Sequence, residues 1–411
     1  MTKDPVKRPH IYELDPLRVC TALGVVAVHV LAFTTFLNSS QVGNEIQNAV
    51  VVAFHFTREV FMFVTAFALV YVYNGKHVSL LQFWRKRALG VVLPYVFWSE
   101  VYILVNVGFV SPGAFLRTSV FDILTGNASY QLYYILLTMQ LYLVFPLFLA
   151  CIRLCARHPW ITLTTSFVLQ VLFFYVDFHT IQTKTTPFWL TISGFQDRFF
   201  LTYQFYFILG GLTALYFQQV RAFVLRHGRS IAIVFIVALT GLWLHFALQV
   251  NIYKESIGYA TSVLQPVMVF YSLAIIFFAL WLACRWVSRA NVGERPSGYR
   301  FWHTLSDASF GVYLIHALIL TQLLHWLVPA LPTSWFEPLR VFLTWFLVAG
   351  GSVAISALLV KIPVLSRLVG RDGTRKEKRS RGSVQSADKL ARAVAEEKNR
   401  TTLSAPRSRV S

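Results

Sequence analysis

The sequence predicts an all-α polytopic membrane protein in which about ten transmembrane helices surround a central polar cavity. Of its 411 residues, 56% are hydrophobic and 16% aromatic, which exceeds what the core of a soluble domain requires. The apolar residues fall in windows of about 20, the length that a helix needs to cross roughly 30 Å of hydrocarbon. Ionisable side chains recur at similar depth in several windows, and because such residues are expensive in lipid, they indicate a cavity.

The apolar windows divide the chain into three parts. Residues 1–13 form a predicted N-terminal segment, residues 14–362 a transmembrane domain, and residues 363–411 a basic tail that we expect to be disordered. The predicted spans are about 14–35, 49–73, 88–110, 131–151, 160–178, 200–220, 230–250, 262–284, 307–329 and 338–360.

Loop charges predict the orientation. Cations concentrate in alternate connections, for example around Arg85 and around Arg226, and short cytoplasmic loops favour Lys and Arg. Both termini are therefore expected to be cytoplasmic, in what we expect to be a bacterial plasma membrane. The net charge of +19 is spread over many loops, so no nucleic-acid partner is predicted. The basic tail is expected to contact anionic membrane lipids.

The four cysteines predict neither a disulfide framework nor a metal site. They are Cys20, Cys151, Cys155 and Cys284, which lie in or near the predicted spans and lack the spacing of zinc ligands. No metal is expected on this basis.

The first predicted span carries two ionisable residues, Arg18 and His29. Their separation of about eleven residues returns the helix to within about 20° of its starting direction, so both side chains share one face, roughly 16 Å apart. Alone, Arg18 could be a snorkelling anchor and His29 could simply hydrogen-bond a neighbouring helix. Together they favour a functional site that reaches from the membrane surface to its middle.

Other predicted spans carry polar residues at comparable depth. His55, Arg58 and Glu59 occur together in the second span, and Glu100 lies in the third. Gln140 lies in the fourth span, and Tyr313 and His316 share one face of the ninth. A polar layer drawn from several helices predicts a hydrated cavity, although each member alone could be a contact between helices.

Four motifs resemble the acyltransferase 3 family of integral membrane acyltransferases. They are "LDPLR" with the Arg18–His29 spacing, "VFMFVTAFAL", "FWRKRALGVVLPY" and "SFGVYLIH". The chain departs from the family at Thr65-Ala66, where the family prefers Ser-Gly. The resemblance covers about residues 13–365 and implies a ten-helix bundle that transfers an acyl group, usually acetyl from acetyl-CoA, to a hydroxyl of a carbohydrate or glycolipid. It implies acyl-CoA as a co-substrate, and we expect no permanently bound cofactor.

The chemistry of a thioester donor suggests a role for each candidate residue. His29 is a predicted general base, because an imidazole can accept a hydroxyl proton near neutral pH. Glu59 or Glu100 could orient its ring, and Tyr313 and His316 could donate hydrogen bonds to the oxyanion or the acceptor. Arg18, Arg85, Lys86 and Arg87 are predicted to bind the donor phosphates.

Two other classes of function compete with acyl transfer. Buried charges could line the pathway of a transporter or flippase for a glycan or a lipid-linked sugar, and the bundle could be a non-catalytic scaffold. The sequence also leaves open the acyl chain, the acceptor glycan, the oligomeric state and a covalent acyl-histidine intermediate.

Overall fold

The computed structural model describes residues 9–371 except 77–78, 110, 292–293 and 333–334, and this part of the chain contains helices and no strand. Its α-helices, numbered in chain order, are α1 Leu14–Phe33, α2 Gln41–Phe54, α3 Thr57–Tyr73, α4 Leu80–Arg87, α5 Leu93–Asn106, α6 Pro112–Thr125, α7 Tyr133–Cys155, α8 Pro159–Val176, α9 Pro187–Phe195, α10 Gln204–Leu215, α11 Phe217–Arg226, α12 Gly228–Ala247, α13 Ile257–Ala260, α14 Pro266–Val287, α15 Tyr299–Trp326 and α16 Glu337–Lys361.

The described helices confirm the predicted fold class. Nine helical stretches within the described part of the chain are long and apolar enough to cross a membrane, and a bent pair makes a tenth if it is counted as one span. Helix α1 packs against α2, α3, α15 and α16. Because α1 contacts helices from both ends of the chain, its residues lie in the middle of the bundle.

The sixth predicted span, 200–220, is not the single straight helix that the sequence indicated. The stretch Phe200–Leu215 meets α11 at an angle of 97°. Helix α10 is almost entirely buried and apolar, whereas α11 carries Arg221 and Arg226 among its apolar residues. Charged side chains are costly in hydrocarbon. The bend before α11 keeps Arg221 and Arg226 out of the hydrocarbon.

The second predicted span is longer than expected and is broken. It extends over Gln41–Tyr73, and the α-helix is interrupted at His55 and Phe56 between α2 and α3. The sequence did not predict this interruption within the span 49–73, because neither His55 nor Phe56 is a helix breaker. The break places His55 inside the bundle.

The close packing of α3 against α10 depends on Gly210. A Cβ atom at this position would overlap the backbone carbonyl of Phe63. Backbone is less able to yield than the end of a side chain, so the two helices can approach this closely only with glycine there.

We therefore expect Gly210→Ala to lower the free energy of unfolding by about 1–3 kcal/mol, the usual range for overpacking. The midpoint of thermal unfolding in detergent would measure the effect. Gly241→Ala in α12 is the matched control, because a Cβ at Gly241 meets no atom within 4 Å. Equal midpoints for the two variants would contradict the packing argument.

Part of the predicted tail packs on the bundle. Leu365–Val369 form a short 3₁₀ helix, Val369 is buried, and the indole of Trp98 donates a hydrogen bond to the carbonyl of Leu368 at 2.9 Å. The helical domain thus continues to residue 371. Residues 372–411, which hold the rest of the predicted disordered tail, and most of the predicted segment 1–13 lie outside the described residues.

Candidate active site

A polar cavity of about 140 Å³ lies inside the bundle. Helices α1, α3, α7 and α15 supply most of its wall, together with the break between α2 and α3. Its polar lining residues are His29, His55, Thr57, Arg58, Gln131, Tyr133, Tyr134 and Tyr313. Of the predicted polar layer, the cavity is lined by His29, His55, Arg58 and Tyr313, and not by Glu59, Glu100, Gln140 and His316.

His29 lies on α1 at the cavity wall, with its side chain half-buried. Its ring centroid is 4.5 Å from that of Tyr130 and 5.3 Å from that of His316, whose ring plane is tilted by only 21°. The electrostatic neighbours of His29 also include His55 and Arg58. The ring is therefore held between aromatic neighbours while one side stays open to the cavity.

His316 lies beside His29 and is fully buried on α15. Its Nδ1 lies 2.8 Å from the carbonyl oxygen of Tyr313 and 3.3 Å from that of Val312. A carbonyl only accepts hydrogen bonds, so Nδ1 carries the proton and Nε2 presents a lone pair. Within the described part of the chain, Nε2 has no hydrogen-bond partner, and it is available to accept a proton from a group near His29.

Arg58 brings a guanidinium to the same cavity. Its Nη1 donates a hydrogen bond to the hydroxyl of Tyr133 at 3.1 Å, and its Cζ lies 5.7 Å from the ring centroid of Tyr203. The second terminal nitrogen, Nη2, is buried and makes no hydrogen bond to any described residue. A buried guanidinium nitrogen without a partner is costly, and it can donate to an oxygen placed in the cavity.

A second group of cations, Arg18 and Arg87, lies near the start of α1. We call this region the basic end of the bundle. The electrostatic neighbours of Arg18 include Arg87 and Tyr142. The guanidinium of Arg87 lies over the ring of Tyr142, with Cζ 4.8 Å from its centroid. The carboxylate of Asp15 is also an electrostatic neighbour of Arg18, so two guanidinium groups share one carboxylate here, and this excess of positive charge favours a further anion.

The remaining two predicted donor-binding residues lie on the outside of α4. Arg85 and Lys86 are exposed, whereas Arg87 is half-buried. Successive residues on a helix point about 100° apart, so the three cations cannot all face the bundle. The structure brings Arg18 and Arg87 together and leaves Arg85 and Lys86 at the surface.

The comparison with known families matches the chain over the region that holds both polar groups. The family model of an acyltransferase domain, acyltransferase 3, matches residues 11–361. The chain belongs to the acyltransferase 3 family. No curated protein and no solved structure matches it. The protein is therefore a membrane acyltransferase, and this membership favours an enzyme over the transporter and scaffold alternatives.

The acyltransferase holds its two candidate carboxylates away from the cavity lining. Glu59 is fully buried next to Arg58, but it does not line the cavity, and its carboxylate oxygens have no hydrogen-bond partner among the described residues. Glu100 on α5 accepts a hydrogen bond from the hydroxyl of Ser119 at 2.9 Å. Neither side chain forms a hydrogen bond to His29, so His316 is the better placed neighbour of that ring.

Two other predicted polar residues of the acyltransferase have structural partners. The hydroxyl of Tyr313 donates a short hydrogen bond to the carbonyl of Gln131, so its proton is already committed although its ring lines the cavity. The amide of Gln140 donates to the carbonyl of Arg198 at 2.7 Å and accepts from the backbone N–H of Phe200 at 3.1 Å. Gln140 therefore fixes a loop.

The sequence analysis missed the contribution of the segment that begins α7. Tyr130, Gln131, Tyr133 and Tyr134 contact His29 or line the cavity. Their signal is three tyrosines within five residues at the start of the fourth predicted span, where the sequence analysis considered only Gln140 as a polar residue. Tyrosines at the ends of spans usually form the interfacial aromatic belt, which is why the pattern did not indicate a site.

Proposed function

We propose that this acyltransferase transfers an acyl group, in the first instance acetyl, from acyl-CoA to a hydroxyl of a cell-surface or lipid-linked carbohydrate. The observation that carries the proposal is the position of His29, which lines a polar cavity and lies beside His316, whose Nε2 has no hydrogen-bond partner among the described residues. A thioester is already activated, so the protein has to orient the two substrates, remove a proton and stabilise an oxyanion.

The proposed reaction uses His29 as a general base. A ring nitrogen of His29 takes the proton of the acceptor hydroxyl while the oxygen of that hydroxyl attacks the thioester carbonyl. The C–S bond then breaks, and the imidazolium returns the proton to the departing thiolate, so the products are the acyl ester and free CoA. Arg58 is our candidate oxyanion donor, because its Nη2 has no partner in the described chain and its side chain lines the cavity.

His316 is proposed to position His29. Its Nε2 lone pair can accept a hydrogen bond, relayed by a bridging hydroxyl or water, from the one N–H of neutral His29. This would fix the tautomer that leaves the other nitrogen of His29 basic. His316→Phe keeps the ring and removes both nitrogens. We expect kcat to fall by roughly tenfold or more, with a shifted pH–rate profile and an unchanged KM for acyl-CoA.

The control for His316→Phe is Phe310→Leu on the same helix, which alters packing only. A merely structural role for His316 would give both variants the same loss, in step with a lower unfolding midpoint. An unshifted pH profile with full activity would contradict the proposed positioning role.

The donor is proposed to bind at the basic end and to reach inwards along α1. Arg18 and Arg87 would hold the phosphates, and the pantetheine arm would cover the roughly 16 Å that separate Arg18 from His29 on one helix face. This route gives an acyl-CoA on one side of the membrane access to a hydroxyl at mid-depth. A purified-protein assay in liposomes tests it, with acyl-CoA turnover measured against candidate glycans by mass spectrometry.

Acyl-CoA consumption that requires a glycan and yields an acylated product supports the proposed function. Two results would contradict the proposed substrates: acylation of an acceptor on nitrogen or sulfur, and turnover with a donor that is not a CoA thioester. Neither result would change the family membership. Turnover in the absence of any acceptor would measure thioester hydrolysis, so it is the blank for every variant.

The orientation that this route needs has the basic end and both termini in the cytoplasm of a bacterial cell. It rests on the positive-inside rule. In a background that lacks the four native cysteines, we expect Ser111→Cys to react with an impermeant maleimide in intact cells. We expect Ser79→Cys to react only after permeabilisation, since both positions are exposed at opposite ends of the third span. The reverse labelling pattern would invert the proposed topology.

A further inference from the structure

Three side chains with metal-binding atoms meet at the basic end, away from the cavity. They are His10, which precedes α1, Asp15 in the first turn of α1, and His303 near the start of α15. The Nε2 of His10 lies 2.8 Å from Oδ2 of Asp15, and the Nδ1 of His303 lies 3.3 Å from the same oxygen. All three candidate ligand atoms lie within 4.8 Å of one another.

Two of these three separations are close to those of a single cation site. Zinc bonds of about 2.0–2.1 Å to nitrogen and oxygen in a tetrahedral site place neighbouring ligand atoms about 3.3 Å apart. The contact between His303 and Asp15 has this length, and the contact between His10 and Asp15 has to lengthen by a few tenths of an ångström. The ligand nitrogens of His10 and His303, which lie within 4.8 Å of each other, have to reach the same separation. The required movement falls on an exposed side chain, because His10 is 42% exposed whereas Asp15 is 2% exposed.

The surroundings of His303 supply a second, independent observation. Its other ring nitrogen, Nε2, lies 3.8 Å from Oδ2 of Asp307, one helical turn later, which is an ion-pair distance rather than a hydrogen bond. Asp307 is in turn held by an ion pair with Arg371. A histidine that binds a metal through one nitrogen commonly directs the other N–H to a carboxylate, which orients the ring and raises its basicity.

We propose that His10, Asp15 and His303 bind one divalent transition-metal cation of the zinc class. Two imidazoles favour Zn²⁺ or a neighbouring transition metal over Mg²⁺ and Ca²⁺, which prefer oxygen ligands. Three protein ligands leave a fourth position, and the exposure of both histidines opens it to solvent or to a phosphate. The sequence analysis expected no metal from the spacing of the cysteines and did not consider His10 and His303, which are remote from each other in the chain.

The cation would join the two helices that carry the candidate active site. Asp15 lies one helical turn before Arg18, and α15 carries His316. A metal bound between Asp15 and His303 would fix the start of α1 against α15 and place a positive charge beside the Arg18–Arg87 pair. The site needs no acyl-transfer chemistry, so its test is separate from that of the proposed function.

The test is Zn²⁺ binding by the full chain, purified through a tag without histidine and stripped with a chelator. We expect one Zn²⁺ per chain by elemental analysis, a Co²⁺-substituted form with a tetrahedral absorption spectrum, and no competition by Mg²⁺. We expect His303→Ala and His10→Ala to lose this binding, and Asp307→Asn to weaken it by about 10- to 100-fold. His158→Ala removes an exposed histidine elsewhere and serves as the matched control.

Thermal unfolding separates loss of the site from loss of the fold. We expect added Zn²⁺ to raise the unfolding midpoint of the wild type and of His158→Ala, and to leave that of His303→Ala unchanged. Each variant in chelator serves as its own reference for the Zn²⁺-dependent shift, because His10 and His303 also contact Asp15 without a metal. Stoichiometric Zn²⁺ binding that survives in His303→Ala, or a wild type that binds no Zn²⁺ at micromolar concentrations, would overturn the proposal.

Discussion

His29→Ala is expected to reduce kcat/KM for acyl transfer by about 10²- to 10⁴-fold, the usual contribution of a general base. The loss should appear in kcat rather than in the KM for acyl-CoA, because the proposed base acts in the transition state and does not hold the donor. His29→Gln is a second variant that keeps polarity in the cavity, so the effect does not depend on a void. Turnover in liposomes, with the unfolding midpoint measured alongside, gives both quantities.

The control for His29 is His325→Ala, which removes an exposed histidine at the end of α15. We expect this control to keep wild-type turnover. Activity within a fewfold of wild type in both His29 variants would remove His29 from the mechanism, while its neighbour His316 would then become the candidate base.

The same variants distinguish direct transfer from a covalent intermediate. If an acyl-histidine forms, the wild type incubated with acyl-CoA and no acceptor should gain the mass of one acyl group, and His29→Ala should not. Direct transfer predicts an unmodified mass and kinetics that require both substrates to be bound together.

Arg18→Ala is expected to raise the KM for acyl-CoA by about tenfold to a hundredfold with a smaller change in kcat. A hydrogen bond between charged groups contributes about 1.5–3 kcal/mol, and 1.4 kcal/mol corresponds to a factor of ten. Arg87→Ala should act in the same way, since Arg87 belongs to the electrostatic neighbours of Arg18. Arg157→Ala is the control, because Arg157 is an exposed cation after α7.

A truncated donor makes this prediction specific to the phosphates. Acetyl-pantetheine carries the thioester and the arm but no phosphate group. Its KM should therefore be high for the wild type and unchanged by Arg18→Ala. An equal rise for both donors would show that Arg18 supports the helix or the arm rather than the phosphates.

Three features of this protein followed from its sequence. The number and kind of spanning elements follow from composition and window length, since a membrane admits few alternatives to a helix of about 20 apolar residues. The alignment of Arg18 with His29 follows from the helical repeat alone. The family followed from four short motifs, and the match over residues 11–361 confirms it.

The partners of these residues were decided by tertiary structure. Glu59 and Glu100 were equally plausible neighbours of His29, because sequence gives the depth of a residue but not the direction that its helix presents to the others. Packing turned Glu100 towards Ser119 and brought His316 within 5.3 Å of the ring of His29. The break at His55 and the bend after Leu215 were likewise invisible in hydropathy, since both depend on what the neighbouring helices contact.

The group formed by His10, Asp15 and His303 shows most clearly the difference between what the sequence determined and what the tertiary structure decided. Asp15 was read as part of a motif, while His10 and His303 carried no signal in sequence, being separated by nearly the whole transmembrane domain. Short-range patterns in the sequence predicted the helices and the residues that they carry, because helix geometry and the lipid environment act over a few turns. Only the docking of α15 against α1 set which of them share a site, because that depends on contacts between residues far apart in the chain.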